Sequence, residues 1–499
     1  MWIKVLPCHG EVWYTCRMRL SERLRTIVTR SDGRQFSPAL WAAVLLALVL
    51  RLYRFDFQPL WWDEGWSVYF AVTDVPALLE LTAVDIHPPL YYLLLHLWTA
   101  MLGPGIASIR LFSILIGTAT VPLIYVTGRE ILGSRLGLVA AFLLALSPFH
   151  IYYSQEVRMY GLVTLFGLAA FLAAFRMWND ERRLGPWLGY VLAGAAALYT
   201  EYYAALFLVA LNIAALIRWL VIRRRKCRIV RWVSAQLAVL TLYLPWMLYA
   251  GAKLAAYVAF KIDVEQDPSL GLVTYLGRHF AAFNWGHAEG LLAGWWWLGL
   301  LPATVLGLSL AIFVLRRGYR RIGIRRYLPA FLCCGAILAV CLGCGYLVNR
   351  LFPFNPPRSE RLLLIALPAY LLLVSALLLV LWRYRRALAA ISAASFLVVS
   401  VVSLGFFYTV PRYPVDDYRP VASRIGSLGL PSDAIICVHP WQVGYFRAYL
   451  SEAIRPQVFL TPREVLPRER QLWAGDPSLM ATGLDRLLGE HHRRWFPAH

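Results

Sequence analysis

Two polar motifs bound the segment that organises this chain. The segment begins at Leu60 and ends at Tyr92. The first motif reads Pro59-Leu60-Trp61-Trp62-Asp63-Glu64-Gly65-Trp66, and the second reads Asp85-Ile86-His87-Pro88-Pro89-Leu90-Tyr91-Tyr92. Adjacent carboxylates thus follow the first apolar run of the chain, and a rigid His-Pro-Pro element follows the carboxylates. Because long apolar runs flank the segment, we expect helices that hold it at a membrane surface.

The composition is that of an integral membrane protein. Of the 499 residues, 60% are hydrophobic and 15% are charged, whereas soluble proteins carry about 25% charged residues. The mean hydropathy is +0.57. The formal net charge is +21, but the basic residues fall in short clusters between apolar runs, as the positive-inside rule describes. We therefore expect contacts with membrane lipids and no nucleic-acid partner.

Apolar runs long enough to cross a bilayer predict about eleven spans, since a span needs roughly 20 residues. We place them at 38–55, 107–128, 136–153, 160–178, 186–200, 203–222, 232–250, 291–315, 327–348, 361–382 and 387–409. The run Leu90–Leu102 would be only about 20 Å long as a helix, so we interpret it as interfacial or re-entrant. The basic clusters then all face the cytoplasm. The loops with unusual polar residues face the other side, at 56–106, 154–159, 200–202, 251–290 and 349–360.

These spans divide the chain into three predicted parts. Residues 1–37 form a basic cytoplasmic leader to an uncleaved first span, and residues 38–409 form the membrane domain. Residues 410–499 are polar, and we predict a small extracytoplasmic α/β domain there. Its expected elements are a buried strand at Ala434–His439 and helices at Tyr418–Leu428 and Val443–Leu450.

The pair Asp63 and Glu64 is the first candidate for catalysis. Adjacent residues point in different directions, so one carboxylate can face a substrate while the other binds backbone or a basic partner. The neighbouring tryptophans suit a membrane–water interface. A positioned carboxylate can deprotonate an incoming nucleophile. The alternative is an ordinary acid pair at the start of a helix.

Two further loops carry candidate binding residues. His87 precedes two prolines that fix the backbone and start a helix, and its ring can contact a phosphate. Glu156, Arg158 and Tyr160 lie between two spans, where charged residues are rare unless they are paired or functional. The Arg158 guanidinium can bind a lipid phosphate, and Glu156 can orient a donor or an acceptor. The alternatives are a structural His and a Glu–Arg pair within the loop.

The remaining candidates are weaker. Glu201 lies in a hairpin between two spans and faces either a cavity or solvent. His279 lies in a basic outer loop that suits an anionic ligand. Arg358 and Arg361 would share one face of a helix and grip a phosphate or contact lipid headgroups. His279 and His287 are too widely spaced for a convincing metal site, so we expect no metal or other cofactor.

Five motifs of this chain resemble those of the GT-C membrane glycosyltransferases, in particular the protein-mannosyltransferase and aminoarabinose-transferase relatives of glycosyltransferase family 39. The motifs are Trp62-Asp63-Glu64, His87-Pro88-Pro89-Leu90, Arg110-Leu111-Phe112-Ser113, Ser147-Pro148 and the stretch from Tyr153 to Tyr160. The resemblance covers about residues 38–250 well and is thinner to 409. It implies an all-α GT-C fold with interfacial helices in the first outer loop.

The resemblance also implies an activity and residue roles. Asp63 would act as the catalytic base or position the acceptor, with Glu64 beside it, and Glu156 matches the second acidic position of the family. His87 and Arg158 match positions near the donor phosphate. The donor would be a dolichyl- or undecaprenyl-phosphate sugar. The anomeric centre would invert without a covalent intermediate or a metal.

The expected reaction transfers this sugar to a lipid, glycan or protein hydroxyl, outside the plasma membrane or inner membrane. The chain departs from its relatives at two positions. Aminoarabinose enzymes carry a lysine where His87 stands, and relatives often have a histidine where Glu201 stands.

Two other classes of function are weighed against this one. A lipid transporter would show inverted repeats and charges at the bilayer midplane, whereas here the charges fall at one face and no repeat is visible. A lipid-linked glycan ligase or polymerase would have a large outer loop late in the chain. The large outer loops predicted here are the first one and 251–290.

Overall fold

The computed structural model describes most of the chain between residues 37 and 450. The described ranges are 37–179, 183–222, 227–265, 268–287, 290–317, 327–353, 358–437, 439–450, 457–460 and 493–495. The chain divides into two units, 1–42 and 43–499. Of the first unit only residues 37–42 are described, and they begin the first helix. The predicted basic leader thus lies outside the described residues, apart from its last residue.

Helices make up nearly all of the described residues up to 409. They are α1 (Pro38–Leu52), α2 (Trp62–Val72), α3 (Val75–Ala83), α4 (Leu90–Leu102), α5 (Ile106–Leu132), α6 (Ser134–Leu146), α7 (Pro148–Gln155), α8 (Tyr160–Asn179), α9 (Leu184–Thr200), α10 (Ala204–Ile222), α11 (Cys227–Glu265), α12 (Leu272–Trp285), α13 (Leu301–Arg317), α14 (Leu328–Leu351), α15 (Leu367–Tyr384) and α16 (Arg386–Thr409). Two 3₁₀ segments, Gly290–Leu300 and Ser359–Ala366, precede α13 and α15. Each predicted span overlaps a helix, but the span 136–153 is divided between α6 and α7, and the spans 291–315 and 361–382 begin in the 3₁₀ segments.

Seven helical stretches of the described chain are long and apolar enough to cross a membrane. They are Ile106–Leu132, Tyr160–Asn179, Ile229–Ile262, Gly294–Leu315, Phe331–Leu351, Ser359–Tyr384 and Arg386–Thr409. Helices α6 and α7 would make an eighth span together, bent by 57°. The three other predicted spans fall on the shorter apolar helices α1, α9 and α10. The protein is therefore an integral, multi-pass membrane protein.

The predicted outer loop at 251–290 is largely helical, so its prediction as a loop was wrong. Helix α11 continues to Glu265, and α12 occupies Leu272–Trp285. The lysines of this region lie over tyrosine rings one helical turn earlier. The Lys253 ammonium is 4.4 Å from the ring centroid of Tyr249. Side chains four apart are neighbours on a helix, so these cations support the helix.

The bend between α6 and α7 is fixed by a buried arginine. Pro148 has no N–H and begins α7, and the Ser147 hydroxyl accepts from the His150 N–H at 3.4 Å. The Arg51 side chain is completely buried. It donates to the carbonyl oxygens of Leu144 (3.3 Å) and Ala145 (3.4 Å), which end α6. The bend directs residues 156–158 towards α2.

The C-terminal region is a small α/β domain, as the sequence predicts. It contains α17 (Arg419–Leu428), β1 (Ala434–Cys437), α18 (Pro440–Tyr449), β2 (Gln457–Leu460) and β3 (Arg494–Trp495). The strands form a parallel sheet with β1 in the centre and the order β2-β1-β3. In the register, Ala434 lies opposite Gln457 on one side and Arg494 on the other.

Helix α18 packs directly on α2, the helix that carries Asp63. A Cβ atom on Gly444 would lie 2.0 Å from the carbonyl oxygen of Gly65, and one on Gly65 would lie 2.6 Å from that of Trp441. Only glycine permits two backbones to approach so closely. The Leu60 N–H also donates to the Tyr449 hydroxyl at 2.6 Å. The C-terminal domain thus supports the start of α2.

Candidate active site

Asp63 stands at the centre of a buried cluster of charges. It lies in the first turn of α2 and is 7% exposed. Its Oδ2 atom is 3.3 Å from Arg361 Nη2 and 3.5 Å from Arg158 Nη2. No described residue donates a hydrogen bond to Oδ1. One carboxylate is therefore shared by two guanidinium groups and retains a free oxygen.

Glu64 has different partners from its neighbour. Its Oε1 accepts from the Val157 N–H at 2.9 Å and lies 3.7 Å from Arg110 Nη2. Its Oε2 accepts from the Trp61 N–H at 3.4 Å and caps α2. Glu64 therefore ties the start of α2 to the loop at 156–158 and to α5.

Arg158 is held by several acceptors at once. Its Nη1 donates to the Asp63 carbonyl (3.1 Å), the Ser67 hydroxyl (3.3 Å) and the Tyr92 hydroxyl (3.3 Å). Its Nη2 lies 3.1 Å from His87 Nε2. The guanidinium is 2% exposed, and these contacts fix its orientation toward Asp63.

His87 links Arg158 to Asp85. Its Nδ1 lies 2.9 Å from Asp85 Oδ2. Because Arg158 can only donate, His87 Nε2 must accept, and the ring proton is on Nδ1 and is donated to Asp85. Burial and the charge of Arg158 lower the pKa of His87, against the opposing effect of Asp85. The neutral ring therefore connects two charged groups.

Glu156 has one bound oxygen and one unbound oxygen. Oε1 accepts from Trp61 Nε1 at 2.6 Å. Oε2 is buried, and no described residue donates to it. Burial, and then the charge of Glu64, raise the pKa of Glu156 to about 7, although Arg158, Arg361 and Arg412 act in the opposite direction. This carboxyl group is thus close to its titration point at neutral pH.

Aromatic rings form the walls beside Arg361. The guanidinium carbon is 5.1 Å from the ring centroid of Trp61 and 5.5 Å from that of Tyr160. Trp61 in turn stacks on Tyr413, with 4.9 Å between the ring centroids. Cations over aromatic faces are stabilised electrostatically, so these rings hold Arg361 beside Asp63.

The expectation that Arg358 and Arg361 share a helical face is wrong. Arg358 has a left-handed backbone (φ 63°, ψ 38°) and precedes the 3₁₀ segment that contains Arg361. Its guanidinium donates to the Tyr413 hydroxyl and lies 4.6 Å from that ring centroid. The turn sends the two side chains to different partners, and only Arg361 reaches Asp63.

The two histidines of the predicted outer loop at 251–290 have different contacts. His279, on α12, has its Nδ1 2.8 Å from the Tyr275 carbonyl oxygen. His287 has its Nε2 2.7 Å from the Tyr153 hydroxyl and its Nδ1 3.9 Å from Glu360 Oε2. Across the described ranges, no group of three or more His, Cys, Asp or Glu residues is placed to hold a metal ion.

Glu201 is buried, so it is not the exposed turn acid that the hairpin allows as an alternative. It is 3% exposed and ends α9 with an extended backbone. Its Oε1 accepts from the Tyr203 N–H at 3.3 Å. Burial raises the pKa of Glu201 to about 8, although the charges of Arg158 and Arg361 favour ionisation.

Two further residues of this cluster were not predicted from the sequence as site residues, namely Asp85 and Arg110. Asp85 stands two residues before His87, and an acid at that spacing is a recognisable partner for a histidine. Arg110 lies on α5 and donates to the carbonyl oxygens of Phe55 and Pro59. An arginine inside an apolar helix is itself a signal of a polar role.

One protein-family model matches part of this chain, and solved structures are similar to it. The protein-family model described as "Dolichyl-phosphate-mannose-protein mannosyltransferase" matches residues 86–249, about a third of the chain. The curated proteins contain no match to the sequence.

Two kinds of solved structure are similar. ArnT from Cupriavidus metallidurans bound to undecaprenyl phosphate is 15% identical, with a TM-score of 0.48 over 90% of this chain and 89% of that one. The archaeal oligosaccharyltransferase AglB from Archaeoglobus fulgidus, in complex with an inhibitory peptide and a dolichol-phosphate, is 12% identical, with a TM-score of 0.50 over 83% of this chain and 64% of that one.

At such low identity the likeness to AglB concerns the fold alone. The fold agrees with the match to the mannosyltransferase family over 86–249, the region that contains His87, Glu156, Arg158 and Glu201. The chain therefore has the GT-C membrane fold, and its residues 86–249 are similar to the protein mannosyltransferases.

Proposed function

We propose that the protein is an inverting glycosyltransferase that moves a sugar from a polyprenyl-phosphate donor to an acceptor hydroxyl. The observation that carries this proposal is the sharing of Asp63 by Arg158 and Arg361. Two guanidinium groups on one carboxylate leave positive charge for a bound phosphate, and the free oxygen of Asp63 can accept a proton. A single buried site thus contains a base and cations.

The matched family supports the donor class, since its description names a dolichyl-phosphate sugar. The two solved relatives are named as binding undecaprenyl phosphate and dolichol-phosphate. In this chain the lipid tail would lie among the apolar helices, and its phosphate would lie beside Arg361. The transferred sugar would be a hexose or a pentose.

The reaction would begin with the acceptor hydroxyl at Asp63 Oδ1. Asp63 takes the hydroxyl proton as the acceptor oxygen attacks the anomeric carbon. The bond from that carbon to the phosphate oxygen breaks, and the electron pair leaves with the phosphate. Arg361, whose Nε has no partner among the described residues, stabilises the negative charge together with Arg158.

The two guanidinium groups would differ in role. Arg158 already donates to three oxygens and contacts His87. Its main role would therefore be to fix the position of Asp63 and to keep a positive charge beside it. Arg361 has fewer protein partners and is better placed to bind the phosphate directly. His87 would set the position of Arg158 and lie near the phosphate. Tyr160 would limit the site beside Arg361.

The site would face the outside of the plasma membrane or inner membrane. The distribution of basic clusters supports this side, because the positive-inside rule would put the loops around Asp63, Glu156 and Arg361 opposite the cytoplasm. The acceptor would be a hydroxyl of a lipid, a glycan or a protein. The C-terminal domain, which packs on α2, would lie on the same side.

A transfer assay with an Asp63→Asn variant tests the proposal. The variant should bind a radiolabelled polyprenyl-phosphate sugar but lose about 10²- to 10⁴-fold in transfer, because loss of a general base has this effect. Asp74→Asn is the matched control, since Asp74 is exposed at the start of α3. Full transfer by the Asp63 variant would remove Asp63 from the role of base.

A further inference from the structure

The lengths and directions of α8 and α9 place Glu201 near the active site. Helix α8 has 20 residues and begins at Tyr160, and α9 has 17 residues and ends at Thr200. At 1.5 Å per residue they are about 30 Å and about 25 Å long. A short connection joins them, so they run in opposite directions, and Glu201 follows the end of α9 near the start of α8.

A close contact places the same turn beside the segment that carries Arg361. A Cβ atom on Gly167 would lie 2.4 Å from Ile365 Cγ1 and 3.6 Å from the Phe207 ring. Ile365 follows Arg361 by one helical turn, and Phe207 lies in the second turn after Glu201. Helix α8, the Arg361 segment and α10 therefore meet at one point near the site.

The carboxyl group of Glu201 has one oxygen that nothing in the described chain binds. Oε1 accepts from the Tyr203 N–H, but Oε2 is buried without a hydrogen-bond partner among the described residues. Buried polar atoms are nearly always paired. An unpaired one that persists beside a functional site is typical of a group that awaits a ligand.

The neighbours of Glu201 indicate what the ligand presents. Arg361 and Arg158 lie within electrostatic range and would bind the donor phosphate, and the sugar is bonded directly to that phosphate. Burial raises the pKa of Glu201 to about 8, so its carboxyl group is mostly neutral at pH 7. A neutral carboxyl group both donates and accepts hydrogen bonds, as a hydroxyl group does.

We propose that Glu201 Oε2 forms a hydrogen bond with a hydroxyl group of the transferred sugar and so selects a neutral, hydroxylated sugar on the donor. This inference rests on the proposed glycosyltransferase function and deepens it. It concerns binding of the sugar ring, whereas Asp63 concerns the reacting oxygen. Glu201 is thus a substrate-binding residue that takes no part in proton transfer from the acceptor.

Binding of sugar-free and sugar-bearing lipids tests the proposal. The probes are undecaprenyl phosphate and undecaprenyl phosphate linked to mannose, glucose or a pentose, bound to the purified full-length protein. Wild type should bind at least one sugar-bearing probe more tightly than the free phosphate. Glu201→Leu should lose this difference, a loss of about tenfold for one hydrogen bond, and should keep its affinity for undecaprenyl phosphate.

Stability separates this role from a structural one. Glu201→Leu removes the buried, unpaired Oε2 together with the Oε1 acceptor of the Tyr203 N–H. These two effects oppose each other, so its melting temperature should stay close to that of wild type. Glu201→Gln keeps a hydrogen-bonding oxygen and should bind the sugar-bearing probe within about threefold of wild type. The control Glu80→Gln changes an exposed acid on α3 and should leave both measurements unchanged.

The outcomes are distinct. A Glu201→Leu variant that melts lower and still prefers the sugar-bearing probe would overturn the inference and leave Glu201 as a structural residue. If Asp63→Asn also abolishes transfer, the proposed function stands without this contact. A wild-type protein that binds no polyprenyl phosphate at all would contradict the proposed function itself.

Discussion

Two buried arginines, Arg51 and Arg158, lie near α7 and have very different surroundings. Among the described residues, the Arg51 side chain donates to neutral groups only, namely backbone carbonyls, the Ser154 hydroxyl (3.1 Å) and His150 Nδ1 (2.8 Å). Arg158 instead lies 3.5 Å from the carboxylate of Asp63, which it shares with Arg361. Both side chains are almost fully buried.

The difference separates a structural arginine from an active-site arginine. Arg51 binds the carbonyl groups that end α6 and fixes the bend of the helix pair, and no carboxylate of the described chain forms an ion pair with it. Arg158 belongs to a cluster with Asp63, Asp85 and Arg361. In this cluster, one charged group interacts with more than one partner of opposite charge. A buried charge is costly unless it is paired or functional, and the two arginines illustrate both solutions.

Among the variants that test this comparison, Arg361→Met should have the largest effect on activity. Removal of one cation that stabilises a leaving phosphate should lower transfer about 10²- to 10³-fold, with a small change in melting temperature. Arg424→Met, an exposed position on α17, is the control. Transfer within threefold of wild type would show that Arg361 does not act on the donor.

Arg51→Met should reverse that pattern. The variant loses the hydrogen bonds from Arg51 to the carbonyl oxygens of Leu144 and Ala145, each worth about 1.5–3 kcal/mol because the donor is charged. The melting temperature should therefore fall by several degrees. Activity per folded molecule should stay within about fivefold of wild type. Tryptophan fluorescence on heating and a transfer assay corrected for folded protein make the comparison. An Arg51 variant that folds normally but is inactive would erase the distinction between the two arginines.

The contact between α2 and α18 should have an intermediate effect. Gly444→Ala would put a methyl group 2.0 Å from the Gly65 carbonyl oxygen, which would push α2 and Asp63 from their positions. We expect about a tenfold loss of transfer, since small displacements of catalytic groups are costly. Gly426→Ala is the control because its Cβ would meet only Leu450 Cδ2, at 3.7 Å. Equal activities for both variants would show that α18 does not position Asp63.

The smallest effect concerns the pH dependence of stability through Glu156. Its pKa is raised to about 7 in the folded protein from the ordinary value near 4.5, so the folded state binds more protons between these pH values. Stability therefore falls as pH rises through that window. Glu156→Gln should melt at about the wild-type temperature at pH 5 and above it at pH 8. The same difference at both pH values would contradict a buried, titrating Glu156.

The sequence predicted the local features well. Span positions follow from apolar run lengths, and the bounds of α4 follow from a run that is too short to cross the membrane. The elements at Arg419–Leu428, Ala434–Cys437 and Pro440–Tyr449 follow from local patterns in the C-terminal domain. These features depend on neighbouring residues, so a single sequence contains the information for them.

Contacts between distant residues could not be predicted in this way. The hydrogen bond between Arg361 and Asp63 joins residues 298 positions apart. Arg358 has a left-handed backbone and contacts Tyr413. For this reason the prediction that Arg358 and Arg361 share a helical face was wrong. The region predicted as an outer loop at 251–290 instead contains helical tyrosine–lysine pairs that support α11. Tertiary partners decided each of these cases.

Native mass spectrometry of the purified protein with undecaprenyl phosphate tests the central claim most directly. The claim is that Arg361 and Arg158, gathered around Asp63, bind the phosphate of a polyprenyl lipid. Wild type and Arg424→Met should show a one-to-one complex that survives removal of detergent, and Arg361→Met should show at least tenfold less. Equal occupancy in Arg361→Met and wild type, or no complex in wild type, would contradict the claim.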